Sequence, residues 1–234
     1  MDLPGPLTRV AIPVGQCWLW RDGDEITLVD SGPAGSGDVI AAALAGLGLD
    51  RDAVVRVVLT HFHDDHAGSA AEVRAWSGAE VVVHAADAPI VRGDVAGPPP
   101  DLLPAELELL ATVSAGLPAA PPCPVDREVG DGDVLAFGGG AHVVHAPGHT
   151  AGSLALHLPG PRVLFTGDTV AEHGGAVILG PFNQDRRRAL ESFRLLTAFD
   201  VDVALFGHGE PVGRAGLAAA VPGPFAPVDA PGAG

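Results

Sequence analysis

The sequence contains no lysine and no tyrosine, so arginine supplies all 13 of its basic side chains. These face 29 acidic residues, and the formal net charge at pH 7 is −16. A chain of this charge repels phosphate backbones, which argues against nucleic acid as a partner.

Cysteine is also scarce, since only Cys17 and Cys123 are present and neither lies in a Cys-x-x-Cys motif. Two cysteines so far apart form no disulfide framework, which fits a reduced compartment. The chain begins without the basic and apolar stretches of a signal peptide, and no apolar run approaches the length of a membrane span. We therefore predict a cytoplasmic protein with no membrane partner.

Apolar residues are abundant, at 47% of the chain, and a sizeable core can form. Short apolar runs alternate with segments of helical spacing, which predicts a layered α/β fold. Strands are expected at 10–14, 17–20, 26–29, 54–59, 80–84, 125–129, 133–137, 141–145, 154–158, 162–165 and 201–206, and helices at 37–48, 67–76, 105–113 and 185–199. We predict one domain over residues 1–220. Residues 221–234 are rich in proline, glycine and alanine without periodicity, which predicts a disordered tail.

The stretch Thr60–Gly68 follows the strand expected at 54–59 and contains four residues of metal-ligand type, His61, His63, Asp65 and His66. An extended backbone points His61 and His63 to the same side. Asp65 and His66 are adjacent and point apart unless the chain turns, so one ion cannot easily use all four residues. Two neighbouring ions can. Grouping so many ionisable side chains costs free energy unless something binds them, which favours a metal site.

Three further candidates follow strands in the second half of the chain: His149, Asp168 and His208. Side chains at the carboxyl ends of strands are free to converge on one edge of a sheet. Imidazole and carboxylate suit zinc, and also iron or manganese. Asp30 also ends an expected strand. It either caps backbone amides in a turn or steadies the metal loop as a hydrogen-bond acceptor.

Residues 92–124 form a proline-rich insertion around the helix expected at 105–113. The insertion is either a surface linker between two halves or a cap over the site. Long irregular insertions in compact domains are often lids, which favours the cap. Its pocket would be lined by Leu103, Leu107, Leu110 and Leu117.

Taken in order, His61-x-His63-x-Asp65-His66, Gly148-His149, Gly167-Asp168 and Gly207-His208 resemble the metallo-β-lactamase fold superfamily, over roughly residues 10–212. The resemblance implies a four-layer αββα sandwich with the site at the edge between its sheets. It also implies that His61, His63 and His149 hold one metal ion, that Asp65, His66 and His208 hold a second, and that Asp168 bridges the two. Two Zn²⁺ ions are the expected cofactors, with iron or manganese as alternatives.

The activity implied is that of a dinuclear metal-dependent hydrolase of the glyoxalase II-like branch. It would cleave an ester, thioester or lactone bond in a small acyl-type substrate, and Asp65 would also accept or relay a proton. Asp168 stands where true β-lactamases of the superfamily usually have Cys or Ser, which argues against antibiotic hydrolysis. With no tyrosine available to bind substrate, His173 is a candidate donor or else an ordinary loop histidine. Arg186–Arg188 either binds an anionic group or is a solvated helix face.

Two other functions remain open. One is a mononuclear iron oxygenase, since persulfide dioxygenases resemble the same scaffold. The other is a non-catalytic protein that kept the fold to bind a metal or a ligand. Neither the substrate nor the oligomeric state follows from the sequence, because members with identical ligands act on different bonds.

Overall fold

The computed structural model describes residues 3–226, which build two six-stranded β-sheets and a separate hairpin. The strands are β1 (Leu7–Ala11), β2 (Gln16–Asp22), β3 (Glu25–Val29), β4 (Val54–Val58), β5 (Glu80–His84), β6 (Arg127–Val129), β7 (Val134–Leu135), β8 (Ala141–His145), β9 (Leu154–Leu158), β10 (Val163–Phe165), β11 (Val170–His173), β12 (Ala176–Leu179), β13 (Val203–Leu205) and β14 (Val212–Gly213). The helices are α1 (Gly37–Gly46), α2 (Asp64–Ala67), α3 (Ala70–Ser77), α4 (Ala88–Val91), α5 (Pro104–Val113), α6 (Arg186–Thr197) and α7 (Arg214–Ala218). None of these helices is long and apolar enough to cross a lipid bilayer.

The first sheet has the strand order β1-β2-β3-β4-β5-β6 and the second has the order β14-β13-β10-β9-β8-β7. Strands β3 to β6 run parallel, as do β10 and β13, whereas the remaining neighbours in both sheets are antiparallel. Strands β11 and β12 pair only with each other among the described residues. Parallel strands end at the same edge of a sheet, so the loops after β3, β4 and β5 lie side by side.

The central strands are apolar on both faces because each sheet is covered on both sides. In β2, Trp18 and Trp20 point into the core between the two sheets, while Cys17 and Leu19 point to the outer face. Helices α1 and α3 cover the outer face of the first sheet, and α6 and α7 cover that of the second. This order of layers confirms the expected αββα sandwich.

The helix expected at 67–76 is confirmed over 70–76 but does not extend back to residue 67, because α2 ends at Ala67 and α3 begins at Ala70. At Gly68 a Cβ atom would lie only 2.3 Å from the backbone nitrogen of Ala34. The Ser69 hydroxyl donates to the carbonyl of Pro33 (2.6 Å) and accepts from the amide of Ser36 (2.8 Å). This close contact with the loop after β3 interrupts the helix just past the metal-ligand stretch.

Other boundaries differ by smaller amounts. The first strand lies at 7–11 instead of 10–14, the strand expected at 133–137 shortens to β7, and the β11–β12 hairpin was not expected. Residues 223–225 form a turn of 3₁₀ helix, and the Phe225 carbonyl accepts a hydrogen bond from Arg186 (2.9 Å). Residues 227–234 lie outside the described residues, so the tail and the domain limit at 220 stay predictions.

The 92–124 insertion is anchored by an ion pair. Among the described residues of α5, only Glu106 is buried. Its carboxylate pairs with Arg186 (2.9 Å) and accepts from the amides of Leu103 (2.7 Å) and Phe182 (2.8 Å). None of the insertion's leucines joins an apolar core within residues 3–226. Electrostatic and hydrogen-bond contacts, not apolar packing, therefore hold α5 in place.

Candidate metal centre

Four strand ends bring the predicted ligands to one edge of the sandwich. The His61–His66 stretch follows β4, His149 lies between β8 and β9, Asp168 follows β10, and His208 follows β13. The ligand-type side chains form two groups, and within each group the donor atoms lie within 4.8 Å of one another. The groups are His61, His63 and His149, and Asp65, His66, Asp168 and His208.

The first group consists of three imidazoles. Nε2 of His149 lies 3.2 Å from Nε2 of His61 and 3.0 Å from Nδ1 of His63. His63 precedes α2 in an extended conformation (φ −60°, ψ 151°), so its side chain lies on the same side as that of His61. The turn into α2 then directs Asp65 and His66 to the second group.

The second group mixes carboxylates and imidazoles. Oδ2 of Asp65 lies 3.1 Å from Nε2 of His208 and 3.7 Å from Nε2 of His66. Oδ2 of Asp168 lies 3.3 Å from Nε2 of His66 and 3.4 Å from Nε2 of His208. The same Asp168 oxygen is 3.9 Å from Nε2 of His149 in the first group. Asp168 therefore faces both groups.

The Asp30 carboxylate is hydrogen-bonded to His66 of the second group and, through Thr60, to His61 of the first. Its Oδ2 accepts a hydrogen bond from Nδ1 of His66 (3.0 Å), and its Oδ1 accepts from the amide of Thr60 (2.7 Å). The Thr60 hydroxyl donates to this carboxylate (2.9 Å to Oδ2), so it must accept from Nδ1 of His61 (3.0 Å). His61 therefore turns an unprotonated Nε2 towards the site, and His66 keeps its Nε2 there for a cation. These contacts favour the second interpretation of Asp30, an acceptor that steadies the metal loop.

The histidines of the first group are neutral at pH 7. Burial and the neighbouring His149 lower the pKa of His63 to about 3. Burial also lowers the pKa of His61 and of His149 below the usual value for histidine. The group therefore offers three nitrogen lone pairs without first losing protons.

The second group has the opposite electrostatics. The negative charge of Asp168 raises the pKa of His208 to about 10. Burial alone would lower the pKa of His66, but Asp168 and Asp65 raise it well above its usual value. Burial would raise the pKa of Asp65, but protonated His66 and the hydrogen bond from His208 bring it to about 2. Without a cation, this group is a network of ion pairs.

The side chains fit divalent cations. Nε2 of His66 and Oδ1 of Asp168 are buried and have no hydrogen-bond partner within residues 3–226. An unsatisfied buried polar atom costs about 1–3 kcal/mol, a cost that a coordinated cation would remove. The absence of a side chain at Gly207 makes room for the Asp168 carboxylate, because a Cβ atom at residue 207 would lie 2.1 Å from Oδ1 of Asp168. Imidazole nitrogen and carboxylate oxygen are also the donors that zinc prefers.

Other residues singled out in the sequence lie at the margin of the site. His173 is exposed at the tip of the β11–β12 hairpin, beside the His208 loop, and joins neither ligand group. The three arginines are divided: Arg186 is buried against Glu106, whereas Arg187 and Arg188 are exposed. The expected anion site therefore cannot use all three.

Two residues that support this site are not among the ligands predicted from the sequence. Thr60 lies between Asp30 and His61, and Asp87 is fully buried against the turn that carries His149. The available signal is position: Asp87 follows the parallel strand β5 closely, as Asp30 follows β3. Polar residues just past parallel strands are candidates for such contacts.

Comparison with known proteins identifies the family of the chain. The model of the metallo-beta-lactamase superfamily matches residues 13–208, which include all seven ligand-type residues. An uncharacterized protein of Mycobacterium tuberculosis (strain H37Rv) is 30% identical over 197 residues, or 81% of this chain and 82% of that protein. A hydroxyacylglutathione hydrolase of Rhodobacter capsulatus is 31% identical over 160 residues, or 67% of this chain and 48% of that enzyme. The match to the latter thus spans about half of the relative.

Solved structures agree on the fold. A metallo-beta-lactamase family protein from Thermus thermophilus matches with a TM-score of 0.67 and 25% identity, covering 91% of this chain and 76% of that one. The metallo-beta-lactamase SMB-1 matches with a TM-score of 0.69 and 21% identity, covering 87% and 77%, and shows the fold alone. The chain belongs to the metallo-beta-lactamase superfamily.

Proposed function

We propose that the protein is a dinuclear zinc hydrolase that cleaves a thioester, ester or lactone bond in a small acyl-type substrate. The observation that carries this proposal is the position of Asp168, whose Oδ2 lies 3.3 Å from His66 and 3.9 Å from His149. A carboxylate between two ligand groups suits two cations a few ångströms apart. The relative named hydroxyacylglutathione hydrolase supports a thioester as the first substrate to test.

In this proposal each ligand group holds one cation. His61, His63 and His149 would hold the first, Asp65, His66 and His208 would hold the second, and Asp168 would serve both. When bound, such cations polarise a carbonyl oxygen and make a water molecule acidic enough to attack at neutral pH.

The protein's own residues orient these donors and carry the proton. Asp30 and Thr60 hold His61 and His66 in the orientation that binding needs. The Asp65 side chain is 18% exposed, against 11% for Asp168, and is the carboxylate nearer to solvent. We assign to Asp65 the proton that the attacking water loses, which it returns to the leaving group. His173 remains the candidate hydrogen-bond donor to the substrate.

The insertion is proposed to cap the substrate. The Ala120 amide donates to Oδ1 of Asp64 (2.7 Å), next to Asp65, and the Asp101 amide donates to the carbonyl of Asn183 (2.9 Å). The adjoining Gln184 amide donates to the carbonyl of His149 (3.2 Å). The insertion is thus attached to the loops on both sides of the ligand groups. Leu107, which is exposed on α5, gives it an apolar surface for an acyl group.

Proton release is expected to differ between the two cations. At pH 7 the first group is neutral, whereas His66 and His208 each carry a proton that a cation must displace. Adding zinc to chelator-stripped protein should release no protons with the first equivalent and at least two with the second, from His66, His208 and the water that the pair of cations makes acidic. The second affinity should therefore fall as the pH is lowered. A pH indicator in weakly buffered solution measures this release, and equal release at both steps would contradict the assignment.

The activity is tested on protein purified without chelator. Elemental analysis should find two zinc ions per chain, and the protein should hydrolyse hydroxyacylglutathione or simple acyl thioesters. Matched oxygen esters and a lactone distinguish the bond, and apoprotein reloaded with zinc is the control. A single iron with thiol-dependent oxygen uptake would instead support the oxygenase. Two bound ions without turnover on any substrate in this panel would count against hydrolysis.

A further inference from the structure

Asp87 is a buried carboxylate that the reaction described above does not use. It follows β5 and immediately precedes α4, and its side chain is fully buried. Oδ2 accepts a hydrogen bond from the Thr150 hydroxyl (2.7 Å), and Oδ1 accepts from the Gly152 amide (2.7 Å). Both partners belong to the turn between β8 and β9 that carries His149. No basic side chain forms an ion pair with Asp87 in the described part of the chain.

The turn is built around this carboxylate. The Thr150 amide donates to the Ser153 hydroxyl (2.9 Å), and the two hydroxyl oxygens are 2.8 Å apart. Since the Thr150 hydroxyl gives its proton to Asp87, it accepts the proton of Ser153. Gly152 has no space for a side chain, because a Cβ atom there would lie 2.5 Å from Oδ1 of Asp87. The carboxylate therefore fixes the residue next to His149 and the turn that follows.

The strands on either side reinforce the contact. His84, at the end of β5, stacks on His145, at the end of β8, with ring centroids 4.1 Å apart and planes 13° apart. Nε2 of His145 lies 2.9 Å from the carbonyl of Ala151 in the same turn. The two sheets thus meet at this point. Asp87, which follows β5 of the first sheet, contacts the turn between β8 and β9 of the second sheet.

The fold disfavours the ionised form of Asp87. Burial raises its pKa to about 6, and the hydrogen bonds from Thr150, Gly152 and Phe62 offset this only in part. A carboxyl group whose pKa is higher in the folded than in the unfolded chain stabilises the fold at low pH, and this contribution is lost as the pH rises through about 6. A buried carboxylate whose ionised form the fold disfavours, and whose oxygens accept from the segments that carry His149 and His63, is typical of a functional position.

We propose that Asp87 is a positioning residue for His149, which sets the cation affinity of the His61, His63 and His149 group. This inference rests on the proposed function, because it requires that the group holds a cation. It also separates two roles. Asp30 contacts His66 directly and His61 through Thr60. Asp87 instead holds the turn that carries His149 and also accepts from the Phe62 amide, between His61 and His63, so its contacts fall on the first group and not on the second.

The test compares zinc affinities of chelator-stripped Asp87→Ala, Asp87→Asn and wild-type protein, using competition with a coloured chelator. In Asp87→Ala we expect the first zinc, identified by the absence of proton release, to bind about 10- to 100-fold more weakly. The second affinity should change less than about threefold. Asp87→Asn should recover most of the loss, because its amide can accept from Gly152 and donate to Thr150.

Asp126→Ala is the matched control, because Asp126 accepts from the Val81 amide (2.9 Å) at the opposite end of β5. Its zinc affinities should match those of the wild type, even if its thermal midpoint falls. If Asp87→Ala does not fold, Thr150→Val removes the hydroxyl donor at nearly constant shape and should weaken the first zinc in the same way.

The outcomes separate the two proposals. Wild-type protein that binds two zinc ions, with an Asp87→Ala variant that binds both as tightly, would overturn the positioning role and leave the hydrolase standing. An equal loss at both zinc sites would also overturn it, since that indicates general loosening. Wild-type protein that binds no zinc would end the proposed function itself.

Discussion

Replacing Asp168 with alanine is expected to remove one of the two zinc ions and to lower kcat/KM by about a thousandfold or more. Loss of an outer hydrogen-bond partner of a metal ligand typically costs about 10- to 100-fold, and Asp168 is proposed to touch both cations. Its Oδ2 is within 3.4 Å of His66 and His208, and its Oδ1 is buried without a hydrogen-bond partner in the described chain. In the variant, His66 and His208 also lose the charge that raises their pKa.

The measurement is elemental analysis after gel filtration, together with thioester hydrolysis. Asp200→Ala is the control, because the Asp200 side chain is 66% exposed in a pair with Arg162. If Asp168→Ala retains two zinc ions and full activity, Asp168 does not bridge the two sites. Asp168→Glu should not restore activity. The backbone of Gly207 lies so near Oδ1 that a longer side chain at residue 168 would have to shift its carboxylate.

Replacing Asp30 with asparagine is expected to weaken both zinc sites by about 10- to 100-fold each, in contrast to Asp87. The carboxylate serves His66 directly and His61 through Thr60, so one substitution disturbs a ligand of each group. Asparagine is chosen because Asp30 has φ 59°, a left-handed conformation that asparagine tolerates well. The amide retains an acceptor for Thr60 but turns an N–H towards the donors of His66 and the Thr60 hydroxyl.

Zinc competition and hydrolysis measure this effect. Asp22→Asn is the matched control, since Asp22 also accepts a backbone amide, that of Gly138 (2.8 Å), but is the last residue of β2 and belongs to neither ligand group. Loss at only one zinc site in Asp30→Asn would show that the path through Thr60 is not used. Retention of both affinities would show that the geometry of the imidazoles is held by packing alone.

Local patterns in the sequence are sufficient to find the ligand-type residues and the layered fold. His61, His63, Asp65 and His66 form a dense group directly after an apolar run, and such a group is visible without knowing where the chain goes. Central strands such as β2 and β5 are buried on both faces, which is why they appear as continuous apolar runs.

Contacts between distant segments are not encoded in any local pattern. Asp87 meets Thr150, and Glu106 meets Arg186, only because the two halves of the chain pack in one register. The break in the helix at Gly68 likewise depends on the backbone of Ala34, which lies in another loop. Propensity favours a continuous helix there, and tertiary packing overrides it.

The anchoring of α5 by Glu106 and Arg186 makes this helix, unlike Cys123 at the end of the insertion, independent of the apolar cores. Its leucines contribute nothing to the cores of the two sheets in the described chain, so the stability of the sandwich does not depend on their identity. Their sequence can therefore diverge, or be replaced by design, as long as the buried ion pair and the hydrogen bonds at both ends remain. If the insertion caps the substrate as proposed, substrate preference can change in this protein without loss of the fold.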